Sequence, residues 1–258
     1  MRDPNIRIEE LTSPEDLRQC VEMQRATWGW KDEDLLPLRT LLLLNKIGGL
    51  VLGALDRNQL VIGFINAFPG FREGEVYLHS QMLAVRQDFR RKGIGKALKL
   101  AQREEAIRRG FQRIEWTFDP FEIHNAHFNL EGLGVICRRY VADAYGPSTS
   151  SLHGRLPTDR LVAEWHLASQ RVCSRVESRV HRAENRLPAT SSVVHLPADI
   201  ADIRVRDPDR AAAIQRDFKR QATDLFGKGY CVAGFESASP PGEVSYHLVP
   251  FHTQVLAS

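Results

Sequence analysis

Apolar and polar residues alternate over residues 6–11, the two-residue period of a half-buried strand. Ser13, with Asp16 three residues on and Pro14 between them, marks a helix start. The apolar spacing then carries a helix to about Thr27, where Trp28-Gly29-Trp30 ends it. Residues 32–34 are acidic, and residues 36–47 read as a second helix with Pro37 in its first turn. Two strands follow at 50–55 and 60–68, separated by the hairpin signal Asp56-Arg57-Asn58-Gln59, and Pro69-Gly70 is expected to end the second. Residues 75–85 form the next strand. A helix over 93–109 carries Ile94, Ala97, Leu98, Ala101 and Ile107 along one face, with Gly110 as its C-cap.

Further on, residues 113–118 read as a strand that runs into Asp119-Pro120, where the proline enforces an extended or turned exit. A short helix from His124 ends at Gly134, a strand covers 135–141, a loop covers 146–151, and a strand covers 159–167. To residue 168 the order is β-α-α-β-β-β-α-β-α-β-β. Beyond it, 170–185 is charged and helical in pattern, with Leu187-Pro188 closing it; 193–196 is a short strand, and 207–226 is a helix opened by Pro208 and closed by Gly227. Residues 230–235 and 244–249 pair as strands across a Ser/Pro/Gly loop. This last part holds no chemical motif and reads either as an extension packed on the core or as a dimerisation element.

Chemistry concentrates where the strand at 75–85 meets the helix at 93–109. The join is Arg90-Arg91-Lys92-Gly93-Ile94-Gly95-Lys96, a basic turn with two glycines ahead of a helix N-terminus. The first N–H groups of a helix lack intrahelical partners and carry the positive end of its dipole. Glycine lets an anion approach the backbone. The turn therefore suits a pyrophosphate, although a solvated basic turn would show the same residues. It is not a Walker loop, because Ala97 follows Gly95-Lys96 and no glycine stands five residues before Gly95. It is not the dinucleotide fingerprint, because position 98 is Leu.

Composition narrows the partner. The 258 residues are 43% hydrophobic and 26% charged, with a net charge of +3, which fits a globular protein with a proper core. So small a charge does not suggest a nucleic-acid surface. Met1-Arg2-Asp3-Pro4-Asn5 has no apolar signal core, and Leu41-Leu42-Leu43-Leu44 is cut by Asn45-Lys46 well short of a membrane span, so a cytoplasmic protein with no membrane partner is expected. Cys20, Cys137, Cys173 and Cys231 are scattered without close pairs, which points to reduced, buried thiols.

Arg90-x-x-Gly93-x-Gly95, preceded by Leu83-Ala84-Val85, resembles the acyl-CoA-binding motif of the GNAT N-acetyltransferase superfamily, and the element order to residue 168 resembles that family's fold. The resemblance implies an α+β fold, with a mixed, mostly antiparallel sheet flanked by helices, over residues 1–168. A smaller α/β extension of undetermined role follows over 169–258. It implies acetyl-CoA or another acyl-CoA, succinyl-CoA included, as co-substrate. The turn Arg90, Arg91, Lys92, Gly93, Ile94, Gly95 and Lys96 would hold the pyrophosphate, and Leu83, Ala84 and Val85 would pair with the pantetheine arm. It places a second CoA-contacting helix at Asn125 and Asn129, one helical turn apart. The tyrosine that the family often carries near the end of that helix is missing; Phe128 and Asn129 stand there. Segments Trp116-Thr117-Phe118-Asp119-Pro120 and Pro157-Thr158-Asp159-Arg160 resemble a subgroup with long C-terminal extensions, some of whose members act on amino acids.

Amine acylation needs a base for the amine, a donor for the oxyanion and an acid for the thiolate. His79 and Gln81 lie two apart on a strand and so share a side, and an unperturbed imidazole titrates at ~6.5. His79 is the candidate base or water-relay member; Glu75 is a second candidate, at an exposed strand start. Tyr140 and Tyr145 are the candidate acids. Trp28, Gln81 and Arg160 are the candidates for acceptor contact, Arg160 because its guanidinium suits a carboxylate. His124 and His127 stand at a spacing metals use, but no third ligand is apparent and the chemistry needs no metal. The expected activity is transfer of a short acyl group to a primary amine of a small molecule. An acyl-CoA sensor, or an enzyme acting on protein lysines, are the alternatives.

Overall fold

A computed structural model of the chain describes residues 6–146, 156–177, 191–237 and 242–256. The described residues up to Glu115 form one compact unit, and those from Trp116 onward form a second.

The first unit holds β1 (Arg7–Glu10), α1 (Pro14–Trp28), α2 (Leu38–Lys46), β2 (Leu50–Leu55), β3 (Val61–Arg72), β4 (Glu75–Val85), α3 (Ile94–Arg108) and the start of β5 (Arg113–Phe118). Strands β1, β2, β3 and β4 pair antiparallel in that order. β5 joins β4 in parallel through Leu78↔Ile114 and His79↔Glu115. The period of two sorts β2 cleanly. Val51 and Leu55 pack with Leu17, Cys20, Leu41 and Leu44 of α1 and α2, whereas Leu50, Leu52 and Ala54 pack with Ile94 and Leu98 of α3. At roughly 1.5–3 kcal/mol for each fully buried aliphatic side chain, these two clusters hold the helices to opposite faces. Ser13 caps α1 by accepting the Asp16 N–H at 3.1 Å, and Gly29 ends it in the left-handed region at φ 66°.

The second unit begins with Trp116 to Phe118 of β5. It continues through α4 (Ile123–His127), a π-helical turn (Phe128–Gly132), β6 (Ile136–Val141), β7 (Arg160–His166), α5 (Gln170–Glu177) and β8 (Ser192–Pro197). α6 (Ile200–Arg206), α7 (Pro208–Gly227), β9 (Tyr230–Ser237) and β10 (Glu243–Pro250) complete it. Its sheet runs β7-β6-β9-β10-β8, antiparallel throughout. Phe218 of α7 is 2% exposed and meets the rings of Phe121, Tyr140 and Tyr246 at 6.1, 6.2 and 5.2 Å. Asp207 caps α7 through the Arg210 N–H, with Pro208 in its first turn.

Several elements depart from the sequence reading. Strand β3 does not stop at Pro69-Gly70 but continues to Arg72. Its pairing with β2 ends at Leu50↔Ala67, so the N–H that Pro69 lacks is not needed on that side. Gly70 lets the strand pass beneath Tyr77, whose Cζ would lie 2.6 Å from an added Cβ. The hairpin turn is instead Glu73-Gly74, both at positive φ. Helix α2 starts at Leu38, with Pro37 as its N-cap. The expected helix from His124 to Gly134 is a five-residue α-helix followed by the π turn. Helix α6 was not anticipated; Ile200 and Ile203 bury its one apolar edge. The expected loop at 147–151, the end of the charged helix and Leu187-Pro188 lie outside the described residues. Among the described residues no helix is long and apolar enough to cross a membrane. The four cysteines are free thiols, three of them buried.

Candidate functional site

The join between β4 and α3 is built by anchoring its ends and leaving its middle to solvent. Arg86 donates Nε to Val61 O at 2.8 Å and its backbone N–H to Ile62 O at 2.9 Å. Arg90 Nε reaches back to Val85 O at 3.1 Å. Ile94, 4% exposed, plugs the start of α3 into the core. Between these anchors the backbone turns through Arg91 at φ 61° and Gly93 at φ 79°. Gly93 is the N-cap, and no side chain caps the first turn. Gly95 leaves the backbone open, with Leu83 Cδ2 at 3.8 Å the one atom that an added Cβ would meet. Arg90, Arg91, Lys92 and Lys96 are exposed, and Lys92 Nζ stands 5.0 Å from the centre of the Phe89 ring. An uncapped first turn, a helix dipole and four exposed cations are features that suit a polyanion.

Just before the turn, β4 carries one residue more than β3. Asn66 pairs with Met82 and Ala67 with Ser80, which leaves Gln81 as the extra residue of a bulge. The extra residue changes which side chains go where. Ser80 turns toward α3, and Lys99 Nζ donates to its Oγ at 3.0 Å and to Gln102 Oε1 at 3.4 Å. Lys99 is 3% exposed, and burial holds its ammonium well below the ordinary lysine range. Gln81 is exposed and accepts from Asn66 Nδ2 at 3.2 Å. His79 is half-buried and pairs with Phe68. Asn66 and Phe68 are two apart on β3, so Gln81 and His79 share the face covered by α1 and α2. Leu83 and Val85 face α3, and Ala84 faces α1 and α2.

The same face carries a charge cluster that sequence reasoning missed. Glu115, 2% exposed, sits in register with His79. It pairs with Arg72 and, at 3.0 Å, with Arg113 Nε. Arg113 also meets Glu75 at 3.1 Å. The Tyr77 ring lies under both guanidinium groups, at 4.8 Å from Arg72 and 5.7 Å from Arg113. Glu75, Tyr77 and His79 alternate along β4, which was a visible signal. The parallel register that brings Glu115 beside them was not. Trp28 and Trp30 stack with centroids 4.6 Å apart and pack against the cluster that includes Phe68, Met82 and Ala84.

The remaining candidates belong to the second unit. Asn125 is exposed on α4, and Asn129, 1% exposed, donates Nδ2 to Asn125 Oδ1 at 3.3 Å. Tyr140 donates its hydroxyl to Asp159 Oδ2 at 2.7 Å; burial, reinforced by that bond, pushes its pKa up. Tyr145 is 59% exposed, with its hydroxyl 2.6 Å from Thr117 Oγ1. Arg160 is buried, 5.3 Å from the Tyr145 ring centre, with Nη1 4.0 Å from Asp119 Oδ2 and 2.8 Å from Asp159 O. Among the described residues no group of three or more His, Cys, Asp and Glu is placed to hold a metal ion.

A family model described as Acetyltransferase (GNAT) family matches residues 15–134. The chain is similar in fold to a structure of the NatC complex bound to Gag peptide and CoA, at 17% identity and TM-score 0.51, over 63% of this chain and 98% of that one. It is also similar to a putative GNAT-family acetyltransferase from Desulfovibrio desulfuricans, at 13% identity and TM-score 0.50, over 63% of this chain and 99% of that one. At these identities the likeness establishes the fold. No curated protein sequence matches the chain.

Proposed function

Residues 15–134 are a domain of the GNAT acetyltransferase family, and from that premise we propose that the protein transfers an acetyl or other short acyl group from acyl-CoA to a primary amine of a small molecule. We assign the reaction to residues 1–168 and a supporting role to residues 169–258. The observation that carries this reading is the turn at Gly93: an uncapped helix N-terminus ringed by exposed Arg90, Arg91, Lys92 and Lys96. There the CoA pyrophosphate accepts backbone N–H bonds from Ile94, Gly95 and Lys96. The pantetheine arm runs beside Leu83, Ala84 and Val85.

The amine attacks the thioester carbonyl from the face that bears His79 and Gln81. A C–N bond forms, the C–S bond breaks, and CoA leaves as a thiol. His79 takes the proton from the attacking nitrogen, directly or through one water. Of the two tyrosines, Tyr145 is the better acid, because Tyr140 commits its proton to Asp159. Arg160 serves by holding the Tyr145 ring rather than by contacting the acceptor. The stacked Trp28 and Trp30 form an apolar wall for the acceptor, and positioning of the two substrates supplies much of the rate.

A free-thiol release assay tests this. Acetyl-CoA and succinyl-CoA would each be offered with L- and D-amino acids, polyamines and lysine peptides. Release driven by a small amine supports the reading. Release driven by lysine peptides alone would move the acceptor to protein, and CoA binding without any release would make the chain a sensor.

A further inference from the structure

The bulge in β4 has two residues at which it could sit. Ahead of it, the Glu73-Gly74 turn and the pairing of Phe68 with His79 fix residues 75–79. Beyond it, Met82 and Ala84 pack with α1 and α2, while Leu83 and Val85 pack with α3. Between these fixed halves stand Ser80 and Gln81. One of them pairs with Ala67, and the other is extruded as the extra residue. Apolar patterning, which ordinarily sets the register of a strand, does not choose between them, because both side chains are polar. Size and hydrogen bonding have to decide.

The side that faces α3 is closed to solvent: Ser80 of β4 and Lys99 and Gln102 of α3 are all buried. Lys99 Nζ donates to Ser80 Oγ at 3.0 Å and reaches Gln102 Oε1 at 3.4 Å. The serine hydroxyl is short enough to fit beneath the helix and still take the bond from the amine. Gln81 would force a longer amide side chain into the same close-packed space. It stands outside instead, exposed, and accepts from Asn66 Nδ2 at 3.2 Å. A buried amine is costly beside an aliphatic side chain of similar volume. The best-attested use of such a buried polar group is to fix a register.

We propose that Lys99 is a positioning residue that acts through Ser80 to hold the bulge at Gln81. Its bond keeps Ser80 under α3 and so turns Gln81 outward, to the face that bears His79. The part this plays in turnover rests on the acyl-transfer reading above, in which the amine approaches that face.

Thiol labelling of the full chain reads the position of the bulge without any substrate. Cys173, the one cysteine that is not buried, is removed by Cys173→Ser, and Gln81→Cys supplies the reporter. With Lys99 in place the reporter is expected to label freely. Lys99→Met strands the buried Ser80 hydroxyl without its donor, so Ser80 turns out and the thiol, which buries readily, turns in. Labelling is then expected to slow about tenfold. Adding Ser80→Ala removes the stranded hydroxyl and puts a small apolar side chain under α3, so labelling is expected to return to within about twofold of its starting rate. With Gln81 intact, Lys99→Met is expected to lower kcat in the thiol-release assay about fivefold, with KM for acyl-CoA within about twofold, and Ser80→Ala to restore kcat in that background. A merely structural lysine would give no such recovery, because the second substitution would add to the damage. Equal labelling with Lys99 and with Lys99→Met, or no recovery on adding Ser80→Ala, would overturn this role for Lys99. If Lys99→Met does not fold, Lys99→Leu is read by the same criteria. A wild type that releases no thiol with any amine would count against the acyl-transfer reading alone, and the labelling would still decide what Lys99 does.

Discussion

At the scale of single residues, two buried groups carry the sharpest expectations. Lys99 sits under the β4 bulge with its pKa depressed by burial. Between that depressed value and the ~10.4 of an unfolded lysine, the unfolded chain binds the extra proton, so wild-type stability rises with pH across the window. Lys99→Met removes that rise, and its stability relative to wild type is greatest at the low end of the window and shrinks toward pH ~10.4. Urea denaturation of both proteins across that range measures the slopes; parallel slopes would refute the depression of the Lys99 pKa by burial. Glu164 is the opposite case. Burial alone would raise its pKa, but the His166 imidazole 3.6 Å away and the hydrogen bonds from Arg138 outweigh it and hold the carboxyl at about 2. The stability this contributes is present above the unfolded value of ~4.3 and is lost as pH falls toward about 2. Glu164→Gln is therefore expected to flatten the acid side of the stability profile, as followed by circular dichroism. For catalysis, Tyr145→Phe is expected to lower kcat by roughly 10²-fold, the contribution of a general acid, and Tyr140→Phe by far less. Equal losses would shift the acid role away from Tyr145. None of these environments was visible in the sequence: a lysine on a helix face and a tyrosine on a strand look alike whether buried or not.

At the scale of elements, the local patterns were legible where the physics is local. Residues 50–55, 75–85 and 113–118 form strands with the expected bounds, because alternation and turn residues decide them. The glycine-containing basic turn before α3 was equally plain, since the need for positive φ at Gly93 is a property of that residue alone. Registers were not legible. The Gln81 bulge and the His79↔Glu115 pairing depend on strands meeting across the sheet, so Arg72, Arg113 and Glu115 went unnoticed. The π turn escaped for a related reason, because the groups that stabilise it come from α5 and β9. Gly93 separates conformation from charge. Gly93→Ala meets no neighbour and costs roughly 1–2 kcal/mol of backbone strain, whereas Gly93→Asp adds a negative charge at the proposed pyrophosphate site. Gly93→Ala is expected to lose stability but retain CoA binding in part, and Gly93→Asp to lose binding.

At the scale of the whole molecule, the notable fact is that the chain after residue 168 shares a compact unit with the segment from Trp116. β6 pairs with β9 through Cys137↔Val232, and Phe218 of α7 fills the space between Phe121 and Tyr140. Truncation after residue 168 removes those partners, so the shortened chain is expected to lose the cooperative melting of the second unit. A shortened chain that melts cooperatively and binds CoA as the full chain does would make the extension dispensable. Whether acyl-CoA binds at the N-terminus of α3 is decided by titrating CoA into the wild type and Gly93→Asp in a calorimeter. Saturable binding of one CoA per chain is expected in the wild type, with a loss greater than about tenfold in a folded Gly93→Asp, since a carboxylate at the N-cap repels the phosphates. Equal affinity in the two proteins would contradict binding there.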